Sequence, residues 1–499
     1  NFFIGKQWEG VASNGLPTPV FNFLKRATLF QVASITSDNL KLQASPLNAD
    51  KETQKCADIV NSEFNSLFEH NRIGNLSREF MRNAAVDGDG CMYTYWDCEA
   101  ETGQESKGAI CTEVIENTRV FFGNANDRRV QKQPYIIIER RVMLDEVRAM
   151  VDEPNMIQPD AREGRFNTGD KVTVLLRLFK ENGTVHAFEC TKDCVVRPKW
   201  DLGIRRYPIV WLNWDYIHDC YHGQALITGL IPNQLFVNKA YAAAQLSLMT
   251  SAFPKTVYDK TRVPKWTNQV GGAIGVAGGD VNSVAKILEP AQISPQVAQF
   301  INQAVDHTQT FLGATAAALG DVSPDNTSAI IALQRASAVP SEITRQNFYQ
   351  CLEDLGLIYM EFMAGYYGRR KIFRPANEVL GQDIVQFQGM DAEETVPVEF
   401  DFGMLKDHPM SLKLDVGASS YWSEIAAIQT LDNLLAQGKI DIVDYLERIP
   451  DGYVTKRKEL MEKYSAAAAQ GQGDMVQPAE QAPLGTLTDK VMDIGGAAI

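Results

Sequence analysis

The chain has 499 residues, of which 45% are hydrophobic and 22% charged, as is ordinary for a folded soluble protein. Its net charge of −14 argues against a general nucleic-acid binder, which carries a basic excess on one face, but not against a protein that lets DNA slide past. Eight scattered cysteines indicate a reducing compartment, and Lys239 and Gln245 interrupt the longest apolar run, so no segment is expected to cross a bilayer.

The first 213 residues predict a single α+β domain. Helical periodicity covers Asp50–His70 and Ser77–Val86, and the sequence Asp87-Gly88-Asp89-Gly90 follows as a turn. A short helix is predicted at Met143–Val151, and Asn182-Gly183 is a hairpin signal between two strands. Strands are predicted at Cys91–Trp96, Tyr135–Arg140, Val172–Phe179, Val185–Glu189 and Ile209–Asn213.

Two helical segments flank a small module in the middle of the chain. The first, Pro232–Phe253, is apolar and rich in alanine. The second, Ser294–Leu312, begins with a Ser-Pro pair, which caps a helix and pre-sets its first turn. The module between them is predicted to contain strands at Lys255–Asp259 and Ala285–Leu288, a turn or short helix at Pro264–Asn268 and a flexible loop at Gly271–Gly279.

The second helical segment has a polar face without lysine or arginine. Its apolar stripe includes Val297, Phe300, Ile301 and Phe311. The polar face consists of Gln299, Asn302, Gln303, Asp306 and Gln309. A surface helix normally carries mixed charges, whereas a helix that lines a passage for a polyanion should bind weakly and not grip it. We therefore expect this helix to face such a passage.

A loop of small residues and one very long helix come next. Gly313–Gly320 is built of small residues, and Asp321–Asn326 predicts a turn. From Thr327 to Tyr367 a helical pattern runs for about 40 residues, roughly 60 Å. Pro340 predicts a kink within it.

The remainder of the chain is predicted to be mainly helical. Thr395–Phe402 is a predicted strand, and helices are expected at Tyr421–Ala436 and Asp441–Arg448 and up to about Tyr464. The composition of Ser465–Gly485 predicts disorder.

Several patterns could carry chemistry, but each has a simpler interpretation. His218, Cys220 and His222 lie close together, with Cys190 and Cys194 before them, yet their spacing is irregular for a zinc site and favours packing. The run from Gly271 to Asp280 lacks the Lys-Ser/Thr ending of a phosphate-binding loop, and the acid pairs Asp87/Asp89 and Glu393/Glu394 fit turns or the surface. Basic clusters are predicted to be salt-bridge partners at subunit contacts: Arg128-Arg129, Arg140-Arg141, Arg205-Arg206 and Arg369-Arg370-Lys371. No motif argues for an enzyme or a cofactor.

The order of these features resembles a tailed-phage portal protein. Phe2 to Trp8 resembles the aromatic-Gly-x-Gln-Trp opening of portals, and Ala84 to Tyr95 resembles part of their wing. Gly223-Gln224-Ala225, followed by Pro232-Asn233-Gln234 and Asn238-Lys239, resembles the entry to the portal stem. Leu434 to Pro450 resembles the closing helices. The resemblance covers essentially the whole chain, and the order of its motifs is more specific than any one of them.

This resemblance implies a portal fold and a ring of about twelve copies at one capsid vertex. The implied domains are wing 1–231, stem helix 232–253, clip 254–293, stem helix 294–312, tunnel loop 313–326, long helix and wing 327–412, and crown and flexible tail 413–499. The implied channel lining is Gln303, Asp306, Thr315, Asp321, Asp325 and Asn326, and the implied docking surface on the clip is Lys260, Arg262, Lys265 and Trp266.

The implied partners follow from the same resemblance. They are further copies of the chain, double-stranded DNA in the channel, the terminase large subunit, a head-tail connector or adaptor, and the major capsid and scaffolding proteins, with no membrane. The implied location is the virion, and the host cytoplasm during assembly. Two other classes stay open: another ring-forming virion connector, and a soluble α+β enzyme, which would need a pocket with converging polar groups.

Overall fold

The computed structural model divides the chain into two compact units, Asn1–Gly417 and Ala418–Ile499. The structure describes residues 1–13, 15–37, 40–48, 50–104, 106–160, 170–252, 256–265, 274–287, 295–311, 341–375, 395–416, 428, 430–435, 437–449, 460–461 and 463–464. Helices in these residues include α1 (Phe23–Ile35), α2 (Lys51–His70), α3 (Ile73–Asp87), α4 (Leu144–Ala149), α5 (Ile231–Ala252), α6 (Pro295–Phe311), α7 (Glu342–Phe362) and α8 (Ile442–Arg448). The strands are β1 (Leu40–Pro46), β2 (Asp89–Asp97), β3 (Ala109–Ile115), β4 (Val120–Phe122), β5 (Tyr135–Met143), β6 (Lys171–Glu181), β7 (Thr184–Cys190), β8 (Val195–Asp201), β9 (Ile209–Asn213), β10 (Asp215–Tyr216), β11 (Gly223–Gln224), β12 (Thr256–Tyr258), β13 (Ala285–Ile287), β14 (Arg369–Pro375), β15 (Thr395–Asp401) and β16 (Met410–Val416).

A five-stranded antiparallel sheet has the order β4-β5-β6-β7-β8. Alternate residues of its central strands, such as Ile136 and Ile138 of β5 and Leu176 and Leu178 of β6, are buried, which is the pattern of a sheet with one face on a core. Asn182 and Gly183 join β6 to β7 with φ angles of 52° and 86°, as a type I′ turn requires. The predicted hairpin is confirmed.

A second sheet has three strands in the order β3-β2-β9, and α7 packs against it. The core here contains Phe80 of α3 with Phe348 and Tyr359 of α7, all fully buried. The Tyr359 hydroxyl lies 2.7 Å from Thr112 Oγ1 of β3, so the helix is fixed to the sheet by a buried hydrogen bond as well as by packing. Among the strands that the structure describes, β9 pairs with β2 alone and is an edge of this sheet.

A strand pair that is distant in sequence joins the two ends of the first unit. β1 pairs antiparallel with β16, from Leu40↔Val416 to Pro46↔Met410. β14 and β15, which are closer together in the chain, also pair antiparallel. The residues before position 417 therefore complete a body that the N-terminal helices begin.

The two helical segments of the middle region are α5 and α6, close to their predicted bounds. β12 and β13 lie between them and pair antiparallel, from Thr256↔Ile287 to Tyr258↔Ala285. Both short predicted strands are confirmed. Trp266 and residues 271–273 of the predicted glycine-rich loop lie outside the described residues.

The long helix predicted from Thr327 to Tyr367 is observed over its second half. α7 covers Glu342–Phe362, and a π-helical turn, Met363–Tyr367, ends it. Residues 312–340, which include Pro340, lie outside the described residues. The strand predicted at Thr395–Phe402 is β15, and Phe402 instead begins a 3₁₀ turn.

The second unit contains α8, which confirms the helix predicted at Asp441–Arg448. The Asp441 carboxylate accepts a hydrogen bond of 2.7 Å from the Ile442 N–H at the start of this helix. Residues 428 and 430–435 are helical within the predicted Tyr421–Ala436, and all of Ser465–Gly485 lies outside the described residues. The α+β class is confirmed. Among the helices the structure describes, none combines the length and the apolar character that a membrane span needs.

Candidate functional site

Helices α5 and α6 lie side by side and run antiparallel. Asn233 Nδ2, near the start of α5, donates a hydrogen bond of 3.0 Å to Thr308 Oγ1, near the end of α6. The Thr308 hydroxyl donates in turn to the Ala304 carbonyl at 2.7 Å, so both of its roles are used. The chain between the helices carries the β12–β13 hairpin. The arrangement is two rods with a small knob where the chain passes from one to the other.

One face of α6 is exposed, polar and free of lysine and arginine. Gln299, Asn302, Gln303 and Asp306 are all exposed. Ile301 is buried on the opposite side, together with Thr308. Neutral amides offer a passing phosphate backbone only weak hydrogen bonds, and a carboxylate repels it. This face can therefore border a polyanion without holding it.

Large apolar side chains on the same two helices remain open to solvent. Phe236 of α5 is 50% exposed and Phe300 of α6 is 61% exposed. Helical spacing places Phe236, the exposed Lys239 and the exposed Leu246 on one face of α5. Exposed apolar groups of this size on both helices are available to contact another molecule.

Buried amides fasten the base of α5 to the first residues of the chain. Gln234 is fully buried, and its Nε2 donates to the Phe21 carbonyl at 2.7 Å and to Asn238 Oδ1 at 3.0 Å. Its Oε1 accepts a hydrogen bond of 3.4 Å from the Leu24 N–H. Asn238, one turn further along α5, donates to Gln7 Oε1. Gln7, Gln234 and Asn238 belong to the motifs that resemble portal proteins, and these hydrogen bonds give them a structural role: they position the helix.

Apolar contacts surround this amide network. Phe3, Leu24 and Leu230 belong to one buried cluster. The Phe21 ring lies 4.1 Å from the Tyr241 ring, centroid to centroid. The N-terminal segment thus holds the first two turns of α5 and one face of its third.

A buried carboxylate, that of Asp89, anchors the segment that precedes α5. Asp89, at the start of β2, is 1% exposed, and its Oδ1 accepts from Asn213 Nδ2 at 2.7 Å and from the Gly223 N–H at 2.6 Å. Its Oδ2 lies 2.6 Å from His222 Nδ1 and accepts from Asn117 Nδ2 at 3.2 Å. This carboxylate joins the three-stranded sheet to the segment that leads into α5, and these bonds use its accepting capacity.

The glycines beside Asp89 allow this close approach. Gly88 has a φ of 99°, and a Cβ at this position would lie 2.4 Å from the Gly223 carbonyl oxygen. A Cβ at Gly223 would lie 2.8 Å from the Asp215 carbonyl oxygen. The predicted Asp-Gly-Asp-Gly turn is therefore a tight structural junction, and Asp89 is not on the surface as the sequence interpretation allowed.

The predicted docking residues lie on the knob between the helices. Lys260 and Lys265 are exposed. Arg262 Nη1 donates to Ser283 Oγ at 3.1 Å, which ties the two sides of the knob together. The Asp259 carboxylate accepts from the side chain and N–H of Thr261, and these bonds hold the pKa of Asp259 below its ordinary value. Among the predicted lining residues, Gln303 and Asp306 are described and exposed, whereas Thr315, Asp321, Asp325 and Asn326 lie outside the described residues.

Comparison with known proteins supports one class. Residues 180–406 match the family model of the phage P22-like portal proteins. The resemblance to portal proteins is confirmed. This stretch contains α5, the β12–β13 hairpin, α6 and every residue predicted for the portal channel and docking surface. The family match supports a portal or connector role.

Other comparisons add less. No curated protein sequence matches the chain. Among the solved chains that do match is one described as "Neck of native GTA particle computed with C12 symmetry", with 11% identity over 86% of this chain and 90% of its own length. Its TM-score is 0.35, which is too low to carry an argument.

The histidine and cysteine residues that were weighed as a zinc site have separate contacts. His222 contacts Asp89, whereas the exposed His218 lies 3.5 Å from Asp219, and Cys194 lies 3.4 Å from Thr191 Oγ1. Among the residues that the structure describes, no group of three or more His, Cys, Asp or Glu side chains could hold a metal ion. The residues have structural contacts that follow the packing interpretation.

The basic clusters of this portal-like chain find partners within the chain. Arg129 pairs with Asp127 at 2.7 Å and Arg140 with Glu113 at 2.8 Å. Buried Arg370 stacks 3.9 Å from the Tyr367 ring centroid. These three arginines have partners in the same copy, and contacts of the basic clusters with other subunits stay a prediction.

Proposed function

We propose that the chain is the subunit of a phage portal, a ring at one capsid vertex. The ring would be the channel for packaging and ejection of double-stranded DNA. It would also dock the terminase large subunit and a head-tail connector or adaptor, and contact the major capsid and scaffolding proteins. The family match over residues 180–406 supports this proposal.

The proposed domains keep the bounds set out from the sequence. The body of sheets and helices is the wing, at 1–231 and 327–412. α5 and α6 lie in the stem segments 232–253 and 294–312, and the β12–β13 hairpin lies in the clip, 254–293. Residues 313–326, outside the described residues, keep their assignment to the tunnel loop. Residues 413–499 keep their assignment to the crown and tail, although residues 413–416 of β16 pair with β1 of the body.

The observation that carries the proposal is the unequal surface of the α5–α6 pair. Phe236 and Phe300 are exposed apolar groups, and burial of such a side chain is worth about 1.5–3 kcal/mol. Copies placed side by side around an axis would bury them between neighbours. The polar face with Gln303 and Asp306 would then face the axis.

A ring repeats each lining residue once per copy. With about twelve copies, Asp306 would form a belt of carboxylates around the passage. Such a belt repels the phosphates of the duplex over a screened distance of about 8–10 Å. DNA would then pass without sticking, while a motor docked at Lys260, Arg262, Lys265 and Trp266 supplies the driving energy.

Electron microscopy of the purified chain tests the proposal. The expected result is a ring with a central channel wide enough for a duplex, about 20 Å or more by the dimensions of B-form DNA. A ring without a crown would favour a connector, and a closed monomer would favour the enzyme alternative. Either outcome contradicts the portal proposal.

A further inference from the structure

The outer edge of β9 carries backbone groups that point away from its sheet. Thr94 N–H bonds to the Pro208 carbonyl and Trp214 N–H to the Gly88 carbonyl, both at 2.9 Å. Hydrogen-bonded pairs alternate along an antiparallel ladder. The backbone groups of Val210 and Leu212 therefore point at β2, and those of Ile209, Trp211 and Asn213 point outward.

Side chains already satisfy this edge just before β9. Tyr207 N–H donates to Gln131 Oε1 at 2.9 Å, and Gln131 Nε2 donates to the Tyr207 carbonyl at 3.0 Å. The Gln131 amide thus makes the same two bonds that a neighbouring strand would make. Glu361 Oε2 accepts from the N–H groups of Arg205 and Arg206, at 2.8 Å and 2.9 Å. Just before β9, side chains of the same chain therefore act as hydrogen-bonding partners for the outward backbone groups.

Along β9 itself the outward groups lack such partners. Within the part of the chain that the structure describes, only the Trp211 carbonyl has one, Cys351 Sγ at 3.8 Å, which is a weak donor. Ile209 and Asn213 are buried residues. Buried backbone groups without hydrogen bonds are rare because each carries a desolvation penalty. A strand laid against this edge would supply the missing hydrogen bonds.

A cleft runs along this edge. Its volume is about 400 Å³, with β9 along one side and Asn347, Gln350 and Asp354 of α7 along another. Five residues of strand span about 17 Å at roughly 3.4 Å per residue. The cleft therefore suits an extended segment of about that length, bonded to the backbone of β9.

The charges around the cleft specify an acidic occupant. Arg128, Arg129, Lys132 and Arg206 line it. Arg129 already pairs with Asp127, and Arg206 lies 3.6 Å from Glu361, so Arg128 and Lys132 carry the remaining positive charge. Asp354 is the carboxyl group of the lining, and burial raises its pKa, although Arg206 opposes the shift. A cationic rim of this kind favours carboxylates on the side chains of the segment that binds.

We propose that an extended acidic segment of a neighbouring copy adds to β9 as a fourth strand. The proposal rests on the proposed ring, which places a second copy beside this one. The chain is itself acidic, with 62 Asp and Glu against 48 Lys and Arg, so it can supply such a segment. Strand addition would satisfy the outward groups of Ile209, Trp211 and Asn213 and so lock adjacent copies together.

Hydrogen exchange on the full chain tests strand addition. Amide exchange at Trp211 and Asn213 is compared between the assembled ring and the chain diluted until it sediments as a monomer. Exchange should be about tenfold slower or more in the ring, because a new hydrogen bond must open first. The double variant Arg128→Glu/Lys132→Glu should lose most of this protection, and Lys192→Glu, which changes an exposed cation in a turn outside the cleft lining, should keep it.

Photo-crosslinking identifies the occupant. With p-benzoylphenylalanine in place of the exposed Gln350, light should join this position to an acidic segment of a second copy, identified by peptide mapping of mixed isotope-labelled rings. Crosslinks only within one copy, or a ring in which both amides exchange as fast as in the monomer, would overturn strand addition and leave the ring itself standing. If no ring forms, the proposed function fails, and strand addition fails with it.

Discussion

The body of the first unit and the α5–α6 pair differ in how far they bury their large apolar side chains. In the body, Phe80, Phe348 and Tyr359 are fully enclosed by the same chain. In the helix pair, Phe236 and Phe300 remain half exposed or more. The body therefore encloses its large side chains within one copy, whereas the helix pair leaves large side chains open to solvent, where the proposed ring would cover them.

Polar groups show the same division. The body encloses Asp89 and satisfies it with donors from several segments. The helix pair encloses amides only at its base, at Gln234 and Asn238, and turns Gln303 and Asp306 outward. Changes in the body should thus alter the stability of one copy, and changes on the pair should alter assembly or passage.

The largest effect is expected at the buried carboxylate. Asp89→Ala would leave Asn213, Asn117 and the Gly223 N–H without their acceptor, and should lower the free energy of unfolding by about 3–5 kcal/mol. Urea unfolding followed by circular dichroism measures this loss. Asp193→Ala, at an exposed turn, is the control and should change stability by less than about 0.5 kcal/mol. Equal stability of the two variants would show that Asp89 is not a structural junction.

A smaller loss is expected at the base of α5. Gln234→Ala removes the donor to Phe21 and the acceptor for Leu24, and should lower stability by about 2–3 kcal/mol. Gln245→Ala, at an exposed position of the same helix, is the matched control. Exchange of amides in residues 1–24 should speed up only in the first variant. Unchanged amide exchange in residues 1–24 would show that Gln234 does not fasten the N-terminal segment to α5.

Changes in the exposed apolar side chains of the α5–α6 pair should weaken assembly without altering the stability of one copy. Phe300→Ser should change the stability of the monomer by less than about 0.5 kcal/mol and weaken ring formation by roughly 1–3 kcal/mol per contact. Sedimentation over a range of concentrations measures the second effect. Ile343→Ser, at an exposed position of α7, should leave assembly unchanged. A monomer destabilised by several kcal/mol would mean that Phe300 serves the fold of one copy.

The smallest expected effect is on the pH dependence of stability, through the carboxyl group of Glu63. Burial raises the pKa of Glu63 above its ordinary value of about 4.5, although Arg370 opposes the shift. The native state therefore holds this proton more tightly than the unfolded chain, and its contribution to stability is lost as pH rises through the folded pKa. Glu63→Gln should flatten the fall in stability above pH 4.5, while Glu69→Gln should not. Parallel pH profiles for wild type and Glu63→Gln would contradict this account.

The sequence predicted elements whose pattern is local. The helices α2, α3, α5 and α6 show clear periodicity or composition, and Asn182-Gly183 marks its hairpin. α1 was not predicted, because Thr28 and Gln31 are buried there while Leu29 is exposed, which blurs the apolar stripe. The π-helical end of α7 has no comparable signal.

Features that depend on distant contacts were missed for a physical reason. Asp89 and Asn213 are 124 positions apart, and β1 pairs with a strand more than 360 residues later. No local pattern specifies such pairs. The amide network was missed too, although the polar residues Gln234 and Asn238, four apart in an apolar helix, are a signal that could have indicated one buried polar face.

Packaging through a charged passage tests the central claim most directly. Gln303→Lys would place one cation per copy on the exposed face of α6, about twelve in a ring, where each can bind phosphate. In vitro DNA packaging with rings of this variant should slow or stall, while Gln346→Lys, at an exposed position of α7, should package at the wild-type rate. Normal packaging by intact Gln303→Lys rings would contradict the claim that this face of α6 lines the path of the DNA.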